Sequence, residues 1–458
     1  MTRLRRHAPA SVPDSPYAVM RLAITLILVT IGTAGMYIIA VILPAVQDEF
    51  GVTRADASMP YTFMMLGFGL GGMLMGYLAD RFGVFVPLLI GATGVGLGFC
   101  LAAATDNIWS FTLIHGVLIG LLGASTTFAP LVADTSLWFV RRRGIAVAVC
   151  ASGNYLSGAI WPPIIQPMVY DMGWRQTYVI IGLFSFVCMA GLAVLMRRPP
   201  PLAASASPSE AATAPKLHPN RTPDRDQANV DGQSPAHAQA LAQTQTRAQN
   251  PTQAQASTET SQTTQNRPFG LSPRVAQFWL CVAGISCCVA MAMPQVHIVA
   301  YCLDLGYGVA RGAEMLSLML GFGVLSRIIS GIVCDRIGGL RTLLLGAALQ
   351  AIALILFLPS DGLVSLYIVS ALFGLFQGGL VPAYAIIVRE HFSPAEAGAR
   401  VGTVLMATLV GMALGGWMTG KIYDLAGSYQ AAFINGIGWN LLTLIIAATL
   451  LRRVWPAR

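Results

Sequence analysis

The chain has 458 residues, of which 55% are apolar and only 10% charged, whereas a soluble domain usually carries about 25% charged residues, so a soluble globular class is excluded. Its 47 glycines and 26 prolines interrupt the apolar runs without ending them, which polytopic membrane proteins tolerate. The formal charge of +8 raises nucleic acid as a partner, but the basic residues sit in segments between apolar runs, which argues against one.

Apolar runs long enough to cross a bilayer number twelve. They fall near 22–46, 58–79, 84–104, 108–138, 144–170, 176–196, 275–303, 313–334, 342–358, 363–388, 401–423 and 430–451. The first, about 25 residues long, exceeds the core of a cleavable signal peptide. Between the sixth and seventh the composition changes. Residues 197–273 are rich in Ala, Gln, Thr, Ser and Pro and cannot bury enough apolar surface to fold. The expected layout is a cytoplasmic tail (1–21), a six-helix bundle (22–196), a disordered cytoplasmic linker (197–273), a second six-helix bundle (274–451) and a cytoplasmic tail (452–458). A passive linker predicts that removal of residues 225–255 leaves activity intact.

Orientation follows from lysine and arginine alone. With the N-terminus cytoplasmic, inside segments hold 23 of these residues and outside segments four (Arg54, Arg175, Arg311 and Lys421). Without the linker and its flanks the count is still 15 against four. Both termini are expected inside, in the inner or plasma membrane.

The two halves repeat each other. GYLADRFG (76–83) returns as GIVCDRIG (331–338), an offset of 255 between Asp80 and Asp335. VYDMGWRQTY (169–178) returns as IYDLAGSYQAAF (422–433), an offset of 253 between Asp171 and Asp424.

One basic residue, Arg327, is neither inside nor outside. It lies eight residues before Asp335 within the eighth span, roughly 12 Å into the bilayer at the helical rise. A guanidinium stays charged there, and holding it mid-span costs about 3 kcal/mol. Either it snorkels or locks two helices together, or it faces a water-filled path and meets an anion; the second reading is preferred.

Other polar groups within spans are candidates of the same kind. His297 in the seventh span is either a satisfied interhelical hydrogen bond or a proton-coupled group. Gln295 stands where it could serve backbone freed by Pro294. Asn154 and Tyr155 sit at a depth close to that of Arg327, so Asn154 orients a bound anion or joins helices. Pro162, Pro163 and Pro167 predict a kink. Asp134 reads as a gate or arginine-pairing residue in preference to a proton carrier. Tyr37, Gln377 and Tyr384 are plausible lining residues. The clusters GFGLGG (67–72) and GVGLGFC (94–100) fall inside spans and read as close-packing surfaces. The eight cysteines lack metal-ligand spacing and read as small apolar side chains. No metal, cofactor or nucleotide is expected, and no cluster has catalytic spacing, so an enzyme is not.

Twelve spans in two halves, with G-x-x-x-D-R-x-G after the second and eighth, resemble the major facilitator superfamily, an all-α membrane fold of two pseudo-symmetric six-helix halves. That resemblance makes Asp80, Arg81, Asp335 and Arg336 a cytoplasmic gate latch, with Gly83 and Gly338 supplying the tight turns. Within the superfamily, SLWFVRRRGIAVAVCASGNYLSGAIWPP (136–163) with GWRQTYVIIG (173–182), and PQVHIVAYCLDLG (294–306) followed by Arg327, resemble the monocarboxylate porter group, including oxalate–formate antiporter relatives. It implies that Arg327 binds a substrate carboxylate. There are departures. Animal monocarboxylate transporters carry an aspartate one turn before that arginine, where this chain has Gly323, and a lysine in the first span, where it has none. The second cation of the oxalate type is matched only by Lys421, near the outer end.

The sequence therefore reads as a secondary transporter of a small organic anion, a monocarboxylate above all, working as a monomer by alternating access. Arg327 supplies the fixed charge, and His297 with Asn154 orients the substrate; symport with protons and anion exchange both stay open. The rival is an exporter of hydrophobic or cationic compounds, which wants a buried carboxylate facing the cavity, and only Asp134 comes near.

Overall fold

The computed structural model describes residues 13–200 and 267–454; the expected tether between them, residues 201–266, and the passive role given to it lie outside the described residues. Regular structure among the described residues is helical throughout. The first apolar run is two helices, α1 (Pro16–Gly32) and α2 (Ala34–Phe50), broken at Thr33. The Ser15 hydroxyl caps α1 by accepting from Ala18 N, and Pro16 suits the first turn, where an N–H would be unsatisfied anyway. Helix α1 thus begins ahead of the apolar run near 22–46, and Arg21 belongs to it.

Then come α3 (Arg54–Phe82) and α4 (Phe85–Ala103). The fourth span is irregular. Helix α5 (Ile108–Ile114) widens into a π-helical stretch (His115–Gly123), tightens into a 3-10 turn (Ala124–Thr127) and resumes as α6 (Ala129–Trp138). Helix α7 (Arg143–Leu195) runs 53 residues, about 80 Å at the helical rise and far more than one crossing needs. It is two helices meeting at Gly173, where φ 81° and ψ 161° leave helical geometry. The backbone stays helical through Pro162, Pro163 and Pro167, so the departure is at the glycine and not at the prolines.

The second half comprises α8 (Pro273–Asp304), α9 (Val309–Ile337), α10 (Gly339–Phe357), α11 (Leu363–Gln377), α12 (Leu380–His391), α13 (Pro394–Ala426) and α14 (Tyr429–Val454). Helices α11 and α12 are one span interrupted at Gly378 and Gly379. With Arg143–Leu195 taken as one, eleven runs are long and apolar enough to cross a membrane among the described residues.

The internal repeat is visible in the backbone. Gly83 and Gly338 close α3 and α9 with φ 74° and 84°, values that favour glycine. Each half also opens by docking an aromatic ring. Tyr17 packs on Trp138 with centroids 5.3 Å apart, and Phe269 stacks on His391 at 4.4 Å.

The glycine clusters do serve close packing. A Cβ on Gly67 would stand 2.0 Å from the Gly116 carbonyl oxygen, and one on Gly71 would stand 2.2 Å from that of Leu121. The halves meet along two seams, α3 with α13 and α7 with α9, and α2 packs on α8 between them. Every residue of α2 from Ala34 to Pro44 is buried, which makes it the central helix.

Candidate functional site

Arg327 sits at the seam of α7 and α9, and its position follows from small residues around it. Gly323, Ser326 and Ser330 line one face of α9 and admit the break between α11 and α12. A Cβ on Gly378 would lie 2.8 Å from the Ser326 Cβ, and one on Gly379 would lie 2.1 Å from that of Ser330. This close approach leaves the Gly378 carbonyl 3.4 Å from Arg327 Nε, a long contact. Across the seam Nη1 donates to the Ala151 carbonyl at 2.7 Å. The guanidinium carbon stands 4.4 Å over the Tyr155 ring, a cation–π arrangement. The residue is 8% exposed, and among the described residues no carboxylate comes within ion-pair distance of it.

Four of the polar candidates lie around it, Tyr155, Tyr37, Asn154 and Gln377. The Tyr155 ring lies against Gly323, with Cδ1 2.3 Å from where a Cβ would be. The Tyr37 ring lies against Gly158 in the same way, and its hydroxyl donates to Asn154 Oδ1 at 3.0 Å. Gln377 precedes Gly378 and is fully buried; its Oε1 accepts from Gln295 at 3.1 Å, and its Nε2 has no hydrogen-bond partner among the described residues. Gln295 therefore pairs with Gln377 instead of serving backbone near Pro294.

Other candidates lie elsewhere. His297 uses both ring nitrogens, Nε2 on the Gly416 carbonyl at 2.8 Å and Nδ1 on the Tyr429 hydroxyl at 3.3 Å, which ties it to a different network from that of Arg327. Tyr384 is buried in the apolar core of the second half. Lys421 is exposed at the far end of α13. Asp134 forms a two-pronged pair with Arg21 at 2.9 and 3.1 Å, and Arg21 also donates to the Met196 carbonyl at 3.2 Å. The Trp138 ring lies 4.7 Å from the same guanidinium. Asp134 thus ties α1, α6 and the end of α7 within one half. Asp80, Arg81, Asp335 and Arg336 are exposed, and Arg81 packs on its neighbour Phe82.

A cluster that sequence reasoning missed joins the halves at the opposite end from Asp80. Asp424 accepts from the backbone N–H groups of Arg54 and Ala55, both at 2.9 Å. Arg54 reaches Asp304 at 3.0 and 3.3 Å and the Tyr429 hydroxyl at 2.8 Å. It also lies 4.5 Å over the Tyr423 ring. The repeat had marked Asp424 as the mate of Asp171, and that was the available signal; the partner was not readable. Further contacts between halves descend from there, Thr62 on the Ala413 carbonyl at 3.0 Å, Ser317 on that of Ala159, and then Arg327. Toward the Asp80 end, Gly76, Gly331 and Gly402 face open space.

The chain is similar to known transporters over most of its length. Monocarboxylate transporter 13 of Bos taurus is 23% identical over 78% of this chain and 71% of its own length. Monocarboxylate transporter 12 of Xenopus laevis is 23% identical over 95% of this chain and 88% of its own. Among solved structures, the peptide transporter POT in complex with sulfate superposes with a TM-score of 0.66 at 14% identity, over 96% of both chains. A bacterial homolog of the human lysosomal transporter Spinster, inward-facing and unoccupied, gives 0.62 at 14%, over 97% of this chain and 100% of that one. These show the fold. The family model described as Major Facilitator Superfamily matches residues 25–365 and 278–457, most of the sequence. With its apolar helices and its likeness to the monocarboxylate group, the chain is a membrane transporter, not an enzyme, and belongs to the Major Facilitator Superfamily.

Proposed function

We propose that this transporter carries a small monocarboxylate anion by alternating access, with Arg327 as the fixed positive charge. The observation that carries the reading is a buried guanidinium at the seam between the halves with carbonyls and a ring beside it and, among the described residues, no carboxylate at ion-pair distance. A charge held in low dielectric without a partner is costly, and an anionic substrate relieves that cost. A planar guanidinium suits one carboxylate through paired, charge-assisted hydrogen bonds. Tyr37 and Asn154, linked to each other, with Asn154 next in chain to Tyr155, orient the rest of the substrate. Gln377, with its free amide hydrogens beside Gly378, is a further donor. His297, held by Gly416 and Tyr429, is assigned to the closed end and not to the substrate.

In this reading the chain makes twelve crossings, Gly173 turning α7 into two, with both termini cytoplasmic in a cell or inner membrane. The Arg54 cluster closes the outer end, and the exposed Asp80 and Asp335 motifs belong to an open cytoplasmic end. The latch role of Asp80, Arg81, Asp335 and Arg336 then applies to the alternate state. An exporter of cations fits less well, because Asp134 is already neutralised by Arg21. The test is uptake of a panel of labelled mono- and dicarboxylates into proteoliposomes by the wild type and by Arg327→Gln. Uptake of at least one monocarboxylate by the wild type and none by the variant is expected; equal uptake by both removes Arg327 from the site.

A further inference from the structure

We infer that a lipid acyl chain from the surrounding bilayer occupies a cavity between the two halves, at the end that Arg54 closes, and holds that end shut. The two seams do not close alike there. On the α3–α13 side Arg54 meets Asp304 at 3.0 Å, and Asp424 accepts from Arg54 N and Ala55 N. On the α7–α9 side the Ser317 hydroxyl donates to the Ala159 carbonyl, and outward of that contact lies a cavity of about 580 Å³. Gln166 and Ala310, on its two sides, each stand seven residues outward of the pair along their helices.

Small residues make the gap. Ala45 of α2 and Ala310 of α9 end at Cβ, and a Cβ on Gly308, which precedes α9, would meet nothing within 4 Å. The remaining wall is apolar, with Val41 and Pro44 of α2 both buried. No charged residue lines it. Its polar groups are the Gln166 amide, without a hydrogen-bond partner among the described residues, and the phenol of Tyr170, which is 84% exposed. Apolar cavities stay dry and accept apolar guests, and this volume lies within the about 300–1,000 Å³ of small-molecule sites.

Position selects the guest. Ile160, Ile164 and Pro167, on the adjoining face of α7, are exposed as lipid-facing residues are, and Tyr170 stands where that face meets the cavity. Val41 lies nine residues from the Phe50 end of α2 and Gln166 seven from Gly173, roughly 10–13 Å at the helical rise. The hydrocarbon of one leaflet is about 15 Å thick, so the cavity spans the depth of a single acyl chain. With the tail toward Val41, the ester end of the chain lies toward the mouth, where the Gln166 amide is a donor for its carbonyl. In a bilayer the gain is packing and not dehydration, because an unfilled gap forfeits dispersion contacts.

The walls belong to both halves, α2 and α7 to the first and residues 308–310 to the second. Opening at this end parts them and releases the chain. A ligand that binds one state better favours it by that difference in affinity, so the seated chain adds to the hold of Arg54.

The experiment reconstitutes the full chain in phosphatidylcholine liposomes containing a fraction of phosphatidylcholine with a diazirine near the end of one acyl chain. Illumination is expected to leave adducts on the buried Val41 and Pro44 as well as on the exposed Ile164 and Leu325. Ala45→Phe combined with Val169→Phe fills the cavity and should lower the adducts on Val41 and Pro44 by about tenfold, equivalent to about 1.4 kcal/mol, with Ile164 and Leu325 unchanged. If that variant does not fold, the wild-type arms decide. In Asp424→Ala the adducts on Val41 should fall in step with the open population reported by spin labels at Asp56 and Ser428; a yield that ignores that population overturns the claim that the chain holds this end shut. Wild-type adducts confined to exposed residues overturn the inference. So do adducts on Val41 and Pro44 from a water-soluble diazirine alcohol but not from the lipid, which would assign the cavity to a solute. None of these arms depends on which substrate is carried.

Discussion

The Asp424 carboxylate bridges the first two backbone N–H groups of α3, those of Arg54 and Ala55, at 2.9 Å each, so one half of the molecule caps a helix of the other. Carboxylates are favoured at helix N-termini by orphan N–H groups and the helix dipole. Hydrogen bonds to a charged group are worth about 1.5–3 kcal/mol. Asp424→Ala is therefore expected to shift the balance between the two end-states by about 2 kcal/mol, roughly thirtyfold, toward opening at the Arg54 end. Spin labels at Asp56 and Ser428, one on each half, should report a longer distance population. An unchanged distribution would remove this carboxylate from the closing contacts.

Arg21 and Asp134 make a different kind of contact. Both side chains are almost wholly buried, at 3% and 5% exposure, and both belong to one half. Removing one partner strands the other charge, which typically costs about 3–5 kcal/mol. Asp134→Leu should lower the melting temperature in detergent markedly, and Arg21→Met combined with Asp134→Leu should recover most of the loss. A gating residue would alter transport rates and leave melting alone.

For Arg327 the expected order is wild type far above Arg327→Lys, with Arg327→Gln inactive. A point charge on a flexible stem does not reproduce the planar fork. Competition against a labelled monocarboxylate should find dicarboxylates weaker by about a hundredfold or more, because a second carboxylate meets no second cation and loses several kcal/mol of solvation. Dicarboxylates competing as tightly as monocarboxylates would contradict the charge count.

Two glycines of α3 should respond oppositely to a single methyl group. Gly67→Ala presses a Cβ to 2.0 Å from the Gly116 carbonyl oxygen, and overpacking of this sort costs about 1–3 kcal/mol. Gly76→Ala meets open space and removes glycine's helix penalty. Thermal unfolding of the two variants side by side measures the difference.

The apolar helices, the repeat that ends α3 and α9 in Gly83 and Gly338, and the burial of Arg327 were legible because they depend on hydropathy and local spacing. The packing role of Gly67 and Gly71 was legible for the same reason. What could not be read was choice of partner. Arg21 looked like tail because hydropathy alone cannot see a buried ion pair with Asp134, 113 residues away. Arg54 looked like an ordinary loop arginine because its partners come from the far half. His297 offered two readings, and its partners, the Gly416 carbonyl and the Tyr429 hydroxyl, lie more than a hundred residues away where local sequence does not show them. The breaks at Thr33, Gly173 and Gly378 were hidden inside continuous apolar sequence.

The π-helical stretch of the fourth span has a bearing on chain length. Gly67 and Gly71 are four residues apart on α3, yet the carbonyls they meet belong to Gly116 and Leu121, five apart. The wider turn takes up one surplus residue so that the two helices stay in step. A helix holding such a surplus responds unequally to indels. Deleting one residue between residues 116 and 121 restores a four-to-four match with α3 and keeps Asp134 turned toward Arg21. Adding one swings everything beyond it by about 100° and takes that carboxylate off its partner.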